Sequence, residues 1–343
     1  MTDRLIDNYD VLLIDLDGTV YRGGVMIDGA DAAVTAAHEA GTAVRFVTNN
    51  ASRTPDTVSA QLRGLGVPAH PDEIATSAQA AAGVLADRLP AGALVLVIGT
   101  EALAAEVTRH GLRPVRTYSP EVAAVVQGHS PDTGWRDLAE ASLAIQAGAL
   151  WVASNTDTTL PTERGQLPGN GSLVLALRAA THAEPVVAGK PASPLMTQAW
   201  RDAGGGRPLV VGDRLDTDIS GASAVRADAL LVLSGVSTAA QLLAADVSQR
   251  PRYLAADVRG VLSRVADVEI TADQPGWKID YTDDGLLAQA VRDGRPDELA
   301  LLRALCAAWW STGGGPVTVT PGDGLAADAL TTLHLPGPAD RLA

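Results

Sequence analysis

Cysteine occurs once in 343 residues, at Cys306. A lone thiol can form neither an internal disulfide nor a cysteine-rich zinc site, so nothing asks for an oxidising compartment and the cytoplasm is the expected setting. Basic residues are also scarce: 26 Lys and Arg face 40 Asp and Glu, a formal charge of −14. No run of Lys or Arg stands apart from that excess, so phosphate backbones and anionic lipid surfaces would repel the chain. Neither nucleic acid nor membrane is an expected partner. Long apolar runs are missing too. The first, Val11–Leu16, is broken by Asp15, and no later one reaches the roughly 18 residues of a membrane span. Residues 1–10 place three Asp ahead of that run, the wrong order for a secretory signal.

What the chain has in quantity is alternation. Short β-branched or Leu-rich runs (Val11–Asp15, Ala43–Thr48, Leu94–Ile98, Val122–Gln127, Trp151–Ser154, Leu209–Val211, Leu230–Leu233) are interleaved with Ala-rich stretches of helical period such as Ala30–Ala40, Thr54–Gly64 and Trp135–Gly148. This predicts an α/β chain built on a doubly wound parallel sheet buried on both faces. With about 150 residues per domain as a prior, the length predicts two or three domains. From about residue 267 the alternation stops. Trp277–Tyr281 reads as a strand, Asp297–Trp310 as a helix, Gly313–Gly315 as a break and Val317–Thr320 as a strand, together a small C-terminal α+β module.

Four strand ends carry groups able to do chemistry. The first, Val11-Leu-Leu-Ile-Asp-Leu-Asp-Gly-Thr19, delivers Asp15 and Asp17 beyond the carboxyl end of a strand, where open α/β sheets bind ligands. Residues at i and i+2 point to one side of a strand, and two carboxylates so placed, about 5–7 Å apart, repel by a few kcal/mol at an effective dielectric near 20. Such a pair calls for a cation or a shared proton; taken alone, the fragment reads equally well as an Asp-Gly turn. The second is Thr48-Asn-Asn50, the third Gly189-Lys-Pro191, and the fourth Gly212-Asp-Arg-Leu-Asp-Thr-Asp218 with Asp213 and Asp218. Each alone is weak, a turn, a cap or a solvated lysine.

In this order and at strand ends, the four together resemble the haloacid dehalogenase superfamily of phosphohydrolases, over roughly residues 8–260. About 140 residues separate Thr48 from Lys190, and the middle of that gap looks like an inserted α/β cap, similar to the branch with the larger, second type of cap. The expected segments are thus a core in two parts, 1–80 and 186–266, a cap at 81–185 and the module at 267–343. The resemblance implies that Asp15 attacks phosphorus to form an aspartyl phosphate, while Asp17 protonates the leaving oxygen and later activates water. It implies Mg²⁺ held by the Asp15 carboxylate, the Asp17 carbonyl and Asp213, with Asp218 behind them. Phosphoryl oxygens would be held by Lys190, the Thr48 hydroxyl and backbone N–H groups around Leu16, Gly18 and Asn49. With Asp17 protonated, three carboxylates balance Lys190 and Mg²⁺, so strict dependence on a divalent metal is expected. Asp17 is also the residue that dehalogenases of this superfamily lack.

The cap is expected to close over a small phosphorylated metabolite. Within it, Trp151-Val-Ala-Ser-Asn-Thr-Asp157 and Pro168-Gly-Asn-Gly171 resemble the family's Thr-Asn-x-Asp and Pro-Gly-x-Gly segments, with Ser154 in place of Thr; Gln127-Gly-His-Ser130 stands where relatives carry Gly-x-Asp. Candidate substrate contacts there are His129, Asn155 and Asp157. Core and cap look most like the glycerol 3-phosphate and phosphoglycolate phosphatases, and glycerol 3-phosphate is the expected substrate. With one Phe and few Tyr, pyridoxal phosphate is a poorer match. A phosphoacceptor signalling module is the alternative from another class, although such modules are shorter and lack a cap; a phosphomutase would share the nucleophile. Self-association stays open. The tail, with Trp309 and Trp310, reads as a small packed core and resembles a truncated acetyltransferase half. Gly313-Gly-Gly315 runs into Pro316 and offers no loop for a coenzyme A pyrophosphate.

Overall fold

The computed structural model describes residues 4–162, 164–291 and 297–335. The parts of the expected segments at 1–3, 163, 292–296 and 336–343 lie outside the described residues. The chain divides into two compact units: one takes in the residues up to 22, 26–43 and 206 onward, the other 23–25 and 44–205.

In the first unit four strands, Tyr253–Ala255, Asp228–Val232, Pro208–Gly212 and Val11–Ile14, lie side by side in that order, all parallel. Every residue of Val11–Ile14 and Pro208–Gly212 is buried, the pattern of strands covered on both faces. Each fully buried Val, Leu or Ile contributes about 1.5–3 kcal/mol, so this apolar run has strong reason to stay inside. Asp15 ends it: its N–H still bonds Val211 O at 2.8 Å, extending the parallel ladder by one residue, and the chain then turns.

The tail belongs to the same unit. Trp277–Thr282 pairs antiparallel with Gly285–Ala290, which pairs parallel with Thr318–Pro321. Helix Glu298–Ser311 starts where the Asp297 carboxylate accepts from the Leu299 and Ala300 N–H groups. It packs against helix Ala239–Leu243 and strand Tyr253–Ala255. Arg303 on this helix is only 5% exposed, and its guanidinium donates to Gln274 Oε1, Leu254 O and Asp297 Oδ2, each at 3.1 Å. The indoles of Trp309 and Trp310 donate to Gly315 O and Leu243 O, so both tryptophans serve packing, as their place on a helix suggests.

In the second unit a five-stranded parallel sheet runs Val186–Val187, Leu150–Ala153, Val122–Gln127, Leu94–Ile98, Arg113–Val115. Helices Trp135–Gln146 and Asn170–Thr181 cover one side through Ala141, Ile145, Val174 and Leu177 on Val125 and Trp151. A further parallel pair, Ala43–Thr48 with Ile74–Thr76, leads into helix Ser77–Ala86, capped reciprocally by Thr76 and Gln79. Helix Ser193–Asp202 has Ala192 at its N-cap and Pro194 in its first turn. None of the described helices is long and apolar enough to cross a membrane.

Candidate active site

In the first unit, Asp15 and Asp213 follow neighbouring parallel strands whose last registers pair Ile14 with Val211. Asp218 reaches the same place from a π-helical turn, Leu215–Ile219. One carboxylate oxygen from each of Asp15, Asp213 and Asp218 lies within 4.8 Å of the others. Asp213 and Asp218 are 0% and 1% exposed, so their charge is held almost out of water. Around them, donors are supplied by backbone: Val236 N–H gives to Asp213 Oδ2 at 2.6 Å and Arg214 N–H to Asp218 Oδ2 at 3.1 Å. Three oxygen donors so closely placed form a set suited to a hard divalent cation such as Mg²⁺.

Asp17 is exposed and stands in the turn Leu16–Tyr21, which closes on Leu16 O with the N–H groups of Thr19, Val20 and Tyr21. The Tyr21 hydroxyl donates to Asp17 Oδ2 at 3.3 Å. Gly18 adopts φ +86°, and its N–H goes to Tyr21 O at 2.8 Å. That bond ties Gly18 to the shape of the turn. The sequence reading missed the segment 234–237. Ser234 Oγ donates to Gly18 O at 2.7 Å, and Ser237 Oγ accepts from Leu215 N–H at 3.0 Å, tying turn and acids together. A glycine, Gly235, just past the buried strand Asp228–Val232 was the signal for it.

The second unit assembles the other candidates. Thr48 ends its strand, buried, with Oγ1 accepting from Asn50 N–H at 3.1 Å. Lys190, which alone reads as a solvated lysine, is 3% exposed and donates from Nζ to Val47 O at 3.0 Å. Asn49 meets Lys190 through both groups of its side-chain amide. Asn155 Nδ2 donates to Asn49 O at 2.7 Å, as does Ser77 Oγ at 2.6 Å, and Asp157 Oδ2 accepts from Asn49 Nδ2 at 3.0 Å. His129 lies half-buried after strand Val122–Gln127, next to Gly128, whose Cα faces Ala51 and Ser154. The candidates thus fall into two groups: Asp15, Asp17, Gly18, Asp213 and Asp218 in one, and Thr48, Asn49, Asn155, Asp157 and Lys190 in the other.

Comparison with known proteins adds identity to this geometry. Residues 12–113 match a model of haloacid dehalogenase-like hydrolases, 187–261 a second hydrolase model of the same kind, and 274–335 a GCN5-related N-acetyltransferase-like domain. The chain is 48% identical over 341 residues, 96% of each chain, to the D-glycerol 3-phosphate phosphatase of Mycobacterium tuberculosis. It is 34% identical over 260 residues to the acid sugar phosphatase of Staphylococcus saprophyticus, covering 75% of this chain and 98% of that one. A crystal structure of glycerol phosphate phosphatase from M. tuberculosis in complex with magnesium superposes with a TM-score of 0.93 at 47% identity, covering 98% of this chain and 100% of that one. Both hydrolase models fall on the strands that end in aspartate, and likeness at this level runs nearly end to end, so the chain belongs to the haloacid dehalogenase-like hydrolases.

Proposed function

We propose that the chain is a magnesium-dependent phosphomonoesterase that hydrolyses glycerol 3-phosphate through an aspartyl phosphate on Asp15. The observation that carries this is the meeting of Asp15, Asp213 and Asp218 oxygens within 4.8 Å at adjoining strand ends. The near-full-length relative that acts on glycerol 3-phosphate supports the choice of ester. Bound by Asp15, Asp213 and the Asp17 carbonyl, the magnesium ion supplies positive charge that offsets carboxylates and phosphoryl oxygens.

The chain's own groups then divide the work. An Asp15 oxygen forms a bond to phosphorus as the bond from phosphorus to the glycerol oxygen breaks, and Asp17 gives its proton to that oxygen. In the second half a water oxygen bonds to phosphorus, the acyl phosphate bond breaks, and Asp17 takes the proton that the water loses. Asp15 ends as a free carboxylate, with glycerol and phosphate released. The exposure of Asp17 lets it reach leaving group and water in turn, and the Tyr21 hydroxyl orients it. Lys190 and the Thr48 hydroxyl, with the N–H groups of Leu16 and Asn49, hold the phosphoryl oxygens. Asp218 keeps the carboxylate set in place from its buried turn.

We take the core to run over 1–80 and 186–266, with a cap over 81–185 and a tail from 267; the hydrolase and acetyltransferase-like matches agree with a boundary near the last of these. A small charged ester as substrate and a single buried thiol support a cytoplasmic setting. The test is a comparison of kcat/KM for glycerol 3-phosphate, phosphoglycolate, pyridoxal phosphate and sugar phosphates with Mg²⁺ present. Glycerol 3-phosphate is expected to lead by at least about tenfold, roughly 1.4 kcal/mol of transition-state preference; a sugar phosphate in first place would remove the substrate assignment.

A further inference from the structure

Asn49 and Lys190 are joined in a way that neither residue's expected role requires. The Lys190 N–H donates to Asn49 Oδ1 at 2.8 Å, and Asn49 Nδ2 donates to Lys190 O at 3.0 Å. A backbone N–H can only donate and a carbonyl can only accept, so one orientation of the amide satisfies both. The second proton on Nδ2 goes to Asp157 Oδ2 at 3.0 Å. Asp157 is itself fixed, its N–H donating to Asn155 Oδ1 at 3.2 Å, while Asn155 Nδ2 holds Asn49 O. The closeness depends on residue 189. A Cβ at Gly189 would lie 2.6 Å from Asn49 Oδ1 and 2.4 Å from Ser154 O, so only glycine leaves the amide its place.

We propose that Asn49 is a positioning residue: its amide sets the backbone of Lys190, and through it the ammonium group, while Asp157 holds that amide in register. On this account Asp157 and Asn155 serve the lysine and not the substrate. The proposal rests on the reading of Lys190 as the cation that meets the phosphoryl group. Its physical basis is that a long side chain aims its charge only as well as its backbone is held, and a misplacement of about 1 Å can cost about 100-fold in rate.

Four variants test it: Lys190→Met, Asn49→Asp, Asp157→Asn and the double Asn49→Asp/Asp157→Asn. Asn49→Asp keeps the shape but removes both donors and sets two carboxylates face to face. Its kcat is expected to fall about 100-fold, with KM moving by less than about threefold. Asp157→Asn keeps an acceptor and is expected to stay within about threefold of the wild type. In the double variant the new amide at 157 can donate to the carboxylate at 49, and at least about tenfold of the lost kcat is expected to return. All assays run well below each variant's melting temperature, so that loss of folded protein is not read as loss of rate. Where Asn49→Asp yields no folded protein, Asp157→Ala against Asp157→Asn carries the test, with about a tenfold loss expected in the first alone. A double variant no faster than Asn49→Asp, or equal rates in that last pair, overturns the proposal. Loss of activity in Lys190→Met with full activity in Asn49→Asp overturns it alone; full activity in both overturns the reading of Lys190 as well.

Discussion

A Cβ on Gly18 would lie 2.5 Å from Asp213 Oδ2. The turn after the first strand can therefore press against the Asp213 carboxylate only because residue 18 has no side chain, and its φ of +86° reinforces that demand. Gly18→Ala should leave a folded protein whose kcat falls about 100-fold, since the acid that must grip the cation is pushed aside. Steady-state rates over a range of Mg²⁺ concentrations check this; a variant with normal kcat and normal metal requirement would show that the turn tolerates the methyl group.

The three-carboxylate set makes a prediction about stability as well as rate. Asp213 and Asp218 are buried like charges, so a divalent ion that binds the folded chain should raise its melting temperature. After chelation, Mg²⁺ at 100 times its dissociation constant is expected to add about 2.7 kcal/mol of stability. Calorimetry with and without Mg²⁺ measures it, and Asp213→Asn should abolish the rise. An unchanged melting temperature in the wild type would count against a metal at this place.

Far along the chain, Asp228 gives a pH signature. Burial opposes its ionisation, but hydrogen bonds from Tyr9 and Arg207 and the nearby charge of Arg252 outweigh burial and hold the carboxyl below its usual range. A group whose folded pKa is depressed stabilises the fold above its unfolded value, near 4, and that contribution fades as pH falls through the lower folded value. Asp228→Asn should thus be less stable than the wild type at pH 7, with the gap closing below about pH 4. Urea unfolding at a series of pH values reads it out; a gap that stays constant with pH would refute the role of charge.

Arg303 joins the tail helix to strand Tyr253–Ala255 through Leu254 O while staying buried. Arg303→Met removes three hydrogen bonds and leaves that carbonyl without its donor, at a cost of roughly 2 kcal/mol. The chemical step should be spared, because none of Asp15, Asp17 and Asp213 bonds to Arg303 in the described contacts. Denaturant midpoints together with kcat check both halves; a loss of kcat in fully folded Arg303→Met would mean that the tail takes part in catalysis.

Much of this was legible because burial and chemistry coincide at strand ends. Runs such as Val11–Ile14 and Ala43–Thr48 announce themselves by apolar β-branched residues, and the polar residue that ends each run marks the proposed site. Other elements carry no such mark. Gly285–Ala290 is rich in Ala and Leu and has no clear strand period, and the hairpin Thr159–Thr162 with Gly165–Pro168 is largely exposed and carries a proline in each strand. The role of Asn49 was beyond reach for a different reason: its side-chain partners lie 108 and 141 residues away, and only the fold reveals that Asp157 and Lys190 share it. Lys190 itself reads as a solvated lysine until the strand before it brings it inside.

A covalent intermediate on Asp15 can be caught in a rapid-quench single turnover with glycerol 3-phosphate radiolabelled in its phosphoryl group. Transient label is expected on the protein, released by hydroxylamine as an acyl phosphate must be, mapped to the peptide containing Asp15, and absent from Asp15→Asn together with turnover. Release of labelled phosphate at the normal rate by Asp15→Asn, or label on any other residue, would contradict it.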